Sequence, residues 1–331
     1  MIPLLILCHS MISAQSDPII VKYAGRLDAE RLPDDKLIST WSDSVIIEVD
    51  SIRISARRGY QNESRRMSAL FERVFLVDSV QSITSDSLYF YQDRREFHLY
   101  HHIFYRNNRD SLSIWGDSLQ YFYRDRFGKV FGNLRMSFED FMIEADSAYL
   151  YSNLDSLILF GHIQLDKEEL RVMTQQARVY KSRHLVVCEI EPRIIHGKSF
   201  LNGRQAHLYY TGKQVDSVWV GPNAKGRMLA IDSVKQDTTI TDFSGKQIWI
   251  HLNDNRIEEA DIYQNAVTHY EYWDKKQLEK GYNSLSGNRL FLTFQDNEIV
   301  RIKIMEGVEG LYHRNKYHNL TEPDSSVNKE R

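Results

Sequence analysis

Ile143-Glu144-Ala145-Asp146-Ser147-Ala148-Tyr149-Leu150 decides the fold of this chain. Ile143 and Ala145 alternate with polar neighbours, and Ala148 and Leu150 resume the apolar role one residue out of step. Successive side chains of a strand point to opposite faces, so this slip would turn Ala148 and Leu150 outward unless the strand bulges or turns a corner at Asp146-Ser147. The octet is therefore predicted to be a strand bent at its middle, with both halves facing one core. It recurs. Equivalent stretches begin at Ile83, Ile114, Ile143, Val172 and Leu201, with a first step of 31 residues and three of 29. A fixed period of this size marks an architecture stacked from one supersecondary unit.

The columns of the repeat align. The third position is small throughout, at Ser85, Gly116, Ala145, Thr174 and Gly203, as a crowded inner corner requires. Apolar columns follow at Leu88, Leu119, Ala148, Ala177 and Ala206, and at Phe90, Tyr121, Leu150, Val179 and Leu208. A second apolar series precedes each unit at Val74, Ile103, Leu134, Ile163 and Ile194, so two strands per period are expected. Asp86, Asp117 and Asp146 occupy equivalent places beside the corner, which suggests a recurring hydrogen bond there rather than an acid/base pair. Beyond the fifth copy the spacing lengthens to 42 residues, from Ala206 to Ile248 to Leu290. Asp254-Asn255 and Asp296-Asn297 read as hairpin turns. The polar stretch from Asp274 to Asn288 reads as a long loop, and Val45 to Ile54 as an opening strand pair.

The chain as a whole agrees with a β-rich array. It has 331 residues, 19 Tyr and 15 Phe but only 6 Pro and 16 Gly, and no linker-like segment divides it. One continuous domain is expected from residue 19 to 312, followed by a polar, aperiodic and disordered tail at 313–331. Residues 1–14 run uncharged and apolar before small residues, as a secretory signal does, although the usual basic start is missing; a buried first strand is the alternative. Cys8 lies in that segment behind Leu7, a residue larger than lipidation sites carry there, and Cys188 alternates with apolar neighbours and reads as a small core hydrophobe. A formal net charge of −3 gives no field that would draw a polyanion, so nucleic acid is not an expected partner.

Chemistry is sparse in the sequence. No GxSxG, HExxH, P-loop or Gly-rich dinucleotide motif occurs, and no catalytic residue or cofactor is implied. His98, His101 and His102 do not have the i, i+2 spacing that would put metal ligands on one face of a regular strand, so they read as surface or turn histidines. Basic residues gather at turns, at Arg94 and Arg95, Arg124 and Arg126, and Lys181 and Arg183. They are either solvated turns or a basic line able to meet the phosphate or carboxylate groups of an amphiphile. The apolar columns fit either a closed core or an open groove for acyl chains, in which each methylene removed from water contributes roughly 0.8 kcal/mol.

The unit IEADSAYLY (Ile143 to Tyr151), the preceding GNLRM (Gly132 to Met136) and the closing GNRLFLTFQDNEIVRIKIMEGVEGLYH (Gly287 to His313) resemble the repeats of the OstA-like family. That family comprises periplasmic lipopolysaccharide-transport proteins and the N-terminal domain of the outer-membrane lipopolysaccharide assembly protein. The resemblance implies an all-β, antiparallel, V-shaped β-jellyroll built from stacked repeats. It implies a non-enzymatic periplasmic protein, with association with the outer membrane as an open alternative, that shields lipid A acyl chains while other OstA-like jellyrolls join at its open sheet edges. Carried onto matching columns, the lipid-facing residues are Ile114, Leu119, Tyr121, Ile143, Leu150, Val172, Val179, Leu201 and Leu208. The length, the longer late period and the heavy Tyr/Phe content depart from the shorter members. Two other readings stay open: a structural or interaction repeat protein of the cell envelope with a closed core, and a secreted carbohydrate-active enzyme.

Overall fold

A computed structural model describes residues 19–316 apart from 110, 152–154, 233–236, 255, 275–278 and 296–297, so the signal-like segment and most of the polar tail lie outside the described residues. The chain forms two compact units, Met1–Phe138 with Ser147–Leu154, and Glu139–Asp146 with Asp155–Arg331. The described residues are almost wholly antiparallel strand, with one 3-10 turn at Lys181–Arg183 and no α-helix.

The first unit holds β1 (Ile20–Arg31), β2 (Leu37–Val49), β3 (Ile52–Ala56), β4 (Arg58–Asn62), β5 (Met67–Val77), β6 (Gln81–Tyr91), β7 (Glu96–Asn107), β8 (Ser113–Phe122) and β9 (Phe127–Phe138). The next strand, β10 (Phe141–Tyr151), gives its first residues to the second unit and the rest to the first. Each long strand serves two sheet halves. In β2, Val45–Val49 pairs with β3 while Ile38–Trp41 pairs with β4, and β5 then takes up both strands. From β5 to β9 the strands zip together as successive hairpins, each interrupted once at mid-strand.

Those interruptions are the corners expected from the repeat. In β5, β7 and β9 the bend falls on two consecutive residues with left-handed backbone: Glu72 and Arg73, His101 and His102, and Gly132 and Asn133. Facing them are the Asp positions of the partner strands. His102 Nδ1 lies 2.7 Å from Asp86 Oδ2, and Asn133 Nδ2 donates to Asp117 Oδ2 at 2.8 Å. In the second unit, the His162 backbone N–H donates to Asp146 Oδ2 at 3.2 Å and its Nδ1 lies 3.0 Å from the same oxygen. All three pairs are 16 residues apart. In the fourth copy, which lacks the aspartate, Thr174 Oγ1 donates to Ile190 O at 2.8 Å.

The second unit continues with β11 (Ser156–Lys167), β12 (Leu170–Tyr180), β13 (Leu185–Cys188), β14 (Arg193–His196), β15 (Ser199–Asn202), β16 (Gln205–Thr211), β17 (Gln214–Gly221), β18 (Ala224–Asp232), β19 (Asp237–Gly245), β20 (Gln247–Asn253), β21 (Arg256–Asp274), β22 (Glu279–Gln295), β23 (Glu298–Met305) and β24 (Glu309–Lys316). β12 passes its C-terminal half to β13 and its N-terminal half to β14, and the halves grow separately through β16–β17–β20 and β15–β18–β19 before β21 rejoins them. The longer late period is added strand length: β21 has 19 residues and β22 has 17, against 12 in β11 and 11 in β12.

The stretch read as a loop after Asp274 is strand from Glu279 onward. It pairs on one side with β21 and on the other with β24, and two complete ladders override the weak strand propensity of Gly281, Ser284, Ser286 and Gly287. β24 carries strand structure through Lys316, past the point where the polar tail was placed. The ladders run to Asn253↔Arg256 and Gln295↔Glu298, while Asn255, Asp296 and Asn297 of the expected Asp-Asn turns lie outside the described residues.

Gly161 is the corner residue of β11, with φ +92, and a Cβ there would collide with the Asp146 carboxylate. Gly161→Ala is expected to lower stability by about 2–3 kcal/mol, from left-handed backbone cost plus the clash. Gly197→Ala, at φ +57 with nothing within 4 Å, should lose only about 1 kcal/mol. Urea denaturation of both variants checks this; equal losses would remove Asp146 from the account of the corner.

Candidate functional site: the apolar interior and its closures

The two sheet halves of each unit turn their apolar faces to a shared interior. All nine residues expected to face lipid lie in it: Ile114 0%, Leu119 1%, Tyr121 6%, Ile143 1%, Leu150 7%, Val172 1%, Val179 0%, Leu201 6% and Leu208 0% exposed. The preceding series is equally enclosed, from Val74 at 1% to Ile194 at 5%. The interior is a packed core along most of its length, and a ligand there must displace side chains that already touch one another.

Packing loosens near Leu201. A cavity between the sheet halves of the second unit is lined mainly by apolar side chains, Ile194, Leu201, Val218, Met228, Phe243 and Ile250 among them, with His196 and Ser199 also at its wall. Its volume is about 40 Å³. One water needs roughly 10–15 Å³ together with two to four polar partners, so this space suits hydrocarbon better than water.

At the hairpin ends the two sheet halves are fastened to each other. In the first unit Gln81 at the start of β6 donates from Nε2 to the Tyr121 hydroxyl near the end of β8, 2.5 Å away, and also to Asp78 Oδ2 at 3.1 Å. Burial raises the Tyr121 phenol above its ordinary range. In the second unit Phe141 packs edge-on against Tyr210, ring centroids 5.5 Å apart, and His184 meets Tyr210 edge-on at 5.4 Å. Lys167 is 3% exposed; its Nζ donates to Glu139 O at 2.7 Å and stands 4.3 Å over the Phe141 ring. Burial lowers the Lys167 ammonium below its usual range. Lys213 Nζ lies 3.0 Å from Asp140 Oδ2 at the surface of the same contact. Lys167 belongs to the half that contains β14, whereas Tyr210 and Lys213 belong to the hairpin β16–β17 of the other half, so this cluster is a clasp across the interior.

The basic residues sit at hairpin turns as expected, and are partly committed. Arg94 Nη1 lies 3.4 Å from Glu96 Oε1 and its guanidinium stands over the Tyr91 ring. Arg95 and Arg126 hold left-handed backbone in their turns, and Arg124 is exposed in the turn it shares with Arg126. Lys181 pairs with Asp155 at 3.2 Å, and Arg183 lies over Tyr180. His101 and His102 form the β7 corner, whereas His98 lies 3.5 Å from Glu96 and packs against Tyr91. The clasp residues carry no motif: Phe141, Lys167 and Tyr210 read only as apolar or strand-end positions, and their meeting depends on the stagger between halves.

These features define an all-β, antiparallel, jellyroll-like stack of repeats enclosing an apolar strip. No family model matches the chain, and no curated protein matches it. Among solved structures the chain is similar to LptH from Pseudomonas aeruginosa, described as the LptA-homologous periplasmic component of the conserved lipopolysaccharide transport device. The identity is 13%, the TM-score is 0.32, and the match covers 43% of this chain and 93% of that one.

Cys188 is a fully buried member of the strip, and burial, with Glu189 adding to it, pushes its thiol up to about 12. The unfolded thiol ionises near pH 8.5, so stability is complete below that pH and falls as pH rises toward the folded value. Between pH 8 and pH 10.5 the wild type should lose about 2.5 kcal/mol more than Cys188→Ala. Urea midpoints at the two pH values test this; parallel losses would contradict it.

Proposed function

We propose that this protein is a non-catalytic carrier of a lipopolysaccharide-type amphiphile in the periplasm, holding acyl chains in its apolar interior while sugars stay in water. The observation that carries this reading is the apolar strip enclosed between the sheet halves, with dry space left at its Leu201 end. The nine inner-column residues act as the acyl contacts, and the turn residues Arg94, Arg95, Arg124, Arg126, Lys181 and Arg183 face the anionic groups. Single-domain behaviour over 19–312, removal of residues 1–14 and outer-membrane association belong to the same reading. Among the described residues no helix is long and apolar enough to cross a membrane.

Partner jellyrolls would add at the terminal strands. β1 pairs with β2, and β24 with β22. Ile20, Tyr23 and Leu27 on β1, and Leu311 and Tyr312 on β24, are about half exposed. An unpaired edge with apolar side chains is a template for another strand.

In this account the enclosed interior is the lipid-free state, and loading parts the Phe141–Tyr210 clasp. The rival reading, a structural repeat protein with a permanently closed core, is favoured by the near-complete burial of all nine columns. One experiment separates them. Asp140→Cys with Lys213→Cys is joined by a short bismaleimide, which leaves buried Cys188 untouched, and lipopolysaccharide retention is compared before and after joining. The carrier account predicts retention before joining and a loss of about tenfold after it, or about 1.4 kcal/mol. No retention before joining would favour the closed-core reading, and undiminished retention after it would exclude the clasp as the way in.

A further inference from the structure

We propose that one outer face of the first unit seats the protein on an anionic membrane surface. The sheet half that contains β4 continues through Met67–Phe71 of β5, Ser87–Tyr91 of β6, Glu96–Tyr100 of β7, Ser118–Phe122 of β8, Phe127–Phe131 of β9 and Ser147–Tyr151 of β10. Its inward side chains, Leu88, Phe90, Leu119 and Leu150 among them, are buried in the core. An antiparallel sheet with one face on a core ordinarily turns polar residues outward. Here about half of the outward side chains are Tyr or Phe.

The rings form two groups. Tyr60, Phe71, Tyr89 and Tyr100 touch in succession across four strands, with centroids 6.2, 5.8 and 5.9 Å apart. Phe127 meets Phe122, Tyr149 and Tyr151 at 5.6, 5.7 and 4.8 Å. All eight rings are half-buried, and Phe131 on the same face is 36% exposed. Ala69, paired with Tyr60 on one side and Tyr89 on the other, is wholly covered, so the rings there form a layer rather than scattered contacts. Seven strands spaced at about 4.8 Å make the face about 30 Å wide. An apolar patch of this extent outside the core marks a contact surface.

Charge selects the occupant. Among the described residues, Glu96 is the one carboxylate pointing outward on these strands, and it is 5% exposed and 3.4 Å from Arg94. Lys129 Nζ stands 5.8, 5.5 and 5.3 Å from the ring centres of Phe122, Phe127 and Tyr149. Arg58, which shares Glu72 with Arg57, stands 5.9 Å over Phe71. The hairpin turns at 63–66, 92–95 and 123–126 end on one rim of this face and carry six arginines against Glu63, Asp93 and Asp125. Tyrosine, with an apolar ring and a polar tip, favours the boundary between hydrocarbon and water. Lysine and arginine beside it add attraction to anionic headgroups. The assignment gives the membrane association named above a physical surface and makes no use of the interior, so it and the carrier reading fail separately.

The full-length protein is sedimented with phosphatidylglycerol or phosphatidylcholine vesicles that contain no lipopolysaccharide. Phosphatidylglycerol vesicles should carry the protein down at about 0.1 M salt, with binding about tenfold weaker to phosphatidylcholine or at about 1 M salt. Arg65→Glu with Lys129→Glu should weaken binding about tenfold with unchanged thermal unfolding. A second measurement locates the contact. Relative to wild type, Phe131→Trp should gain emission that brominated phosphatidylglycerol quenches, whereas Phe75→Trp, 40% exposed on the outer face of the other sheet half, should gain emission that it does not. Absence of binding to phosphatidylglycerol vesicles, binding undiminished by the double charge reversal, or equal quenching at the two positions would each overturn the assignment.

Discussion

The mid-strand corner is the constraint on which the rest of the structure depends. A strand that ran straight through Asp146-Ser147 would present Ile143 and Ala145 to one side and Ala148 and Leu150 to the other, and no shared interior would form. The bend is met by left-handed backbone on the facing strand, at Gly161 opposite Asp146 and at two consecutive residues in β5, β7 and β9, a conformation that costs roughly 1–2 kcal/mol for each non-glycine residue. The hydrogen bond that Asp86, Asp117 or Asp146 accepts from the residue sixteen positions later offsets part of that cost. Because the arrangement recurs once per period, an apolar interior within each unit follows from a local pairing repeated in register.

The same geometry makes closure and capacity compete. Bringing two apolar faces together buries Ile114, Ile143 and Val172 almost completely. Where the halves grow as separate hairpins, a cavity opens beside Leu201. The clasp formed by Phe141, Lys167 and Tyr210 lies between these regimes. Its exposed ion pair, Asp140 with Lys213, contributes little, of the order of 0–1 kcal/mol, so the buried ring contacts hold it.

The sequence made the fold legible because the repeat is written in the core itself. Inner columns, corners and the corner role of the aspartates could be read from phase and spacing alone. His101 and His102 were legible as turn-like residues but not as corner partners, because pairing them with Asp86 needs the register between β6 and β7. The strand over Glu279–Gly287 escaped reading since its Gly- and Ser-rich composition has no strand propensity, and only two flanking ladders create it. The candidate site was half legible: the strip is visible in the columns, while the clasp and the cavity beside Leu201 arise from contacts between segments whose spacing carries no period.

The central claim is that the enclosed strip admits lipid, and the most direct measurement places a photoreactive side chain at Leu201 and irradiates the protein in the presence of lipopolysaccharide. The account predicts a covalent adduct to the acyl region of the lipid, with a weaker one from a position in the tightly packed stretch such as Ile114. Adducts confined to neighbouring protein side chains at both positions, with lipopolysaccharide present in excess, would contradict it and leave the strip a core.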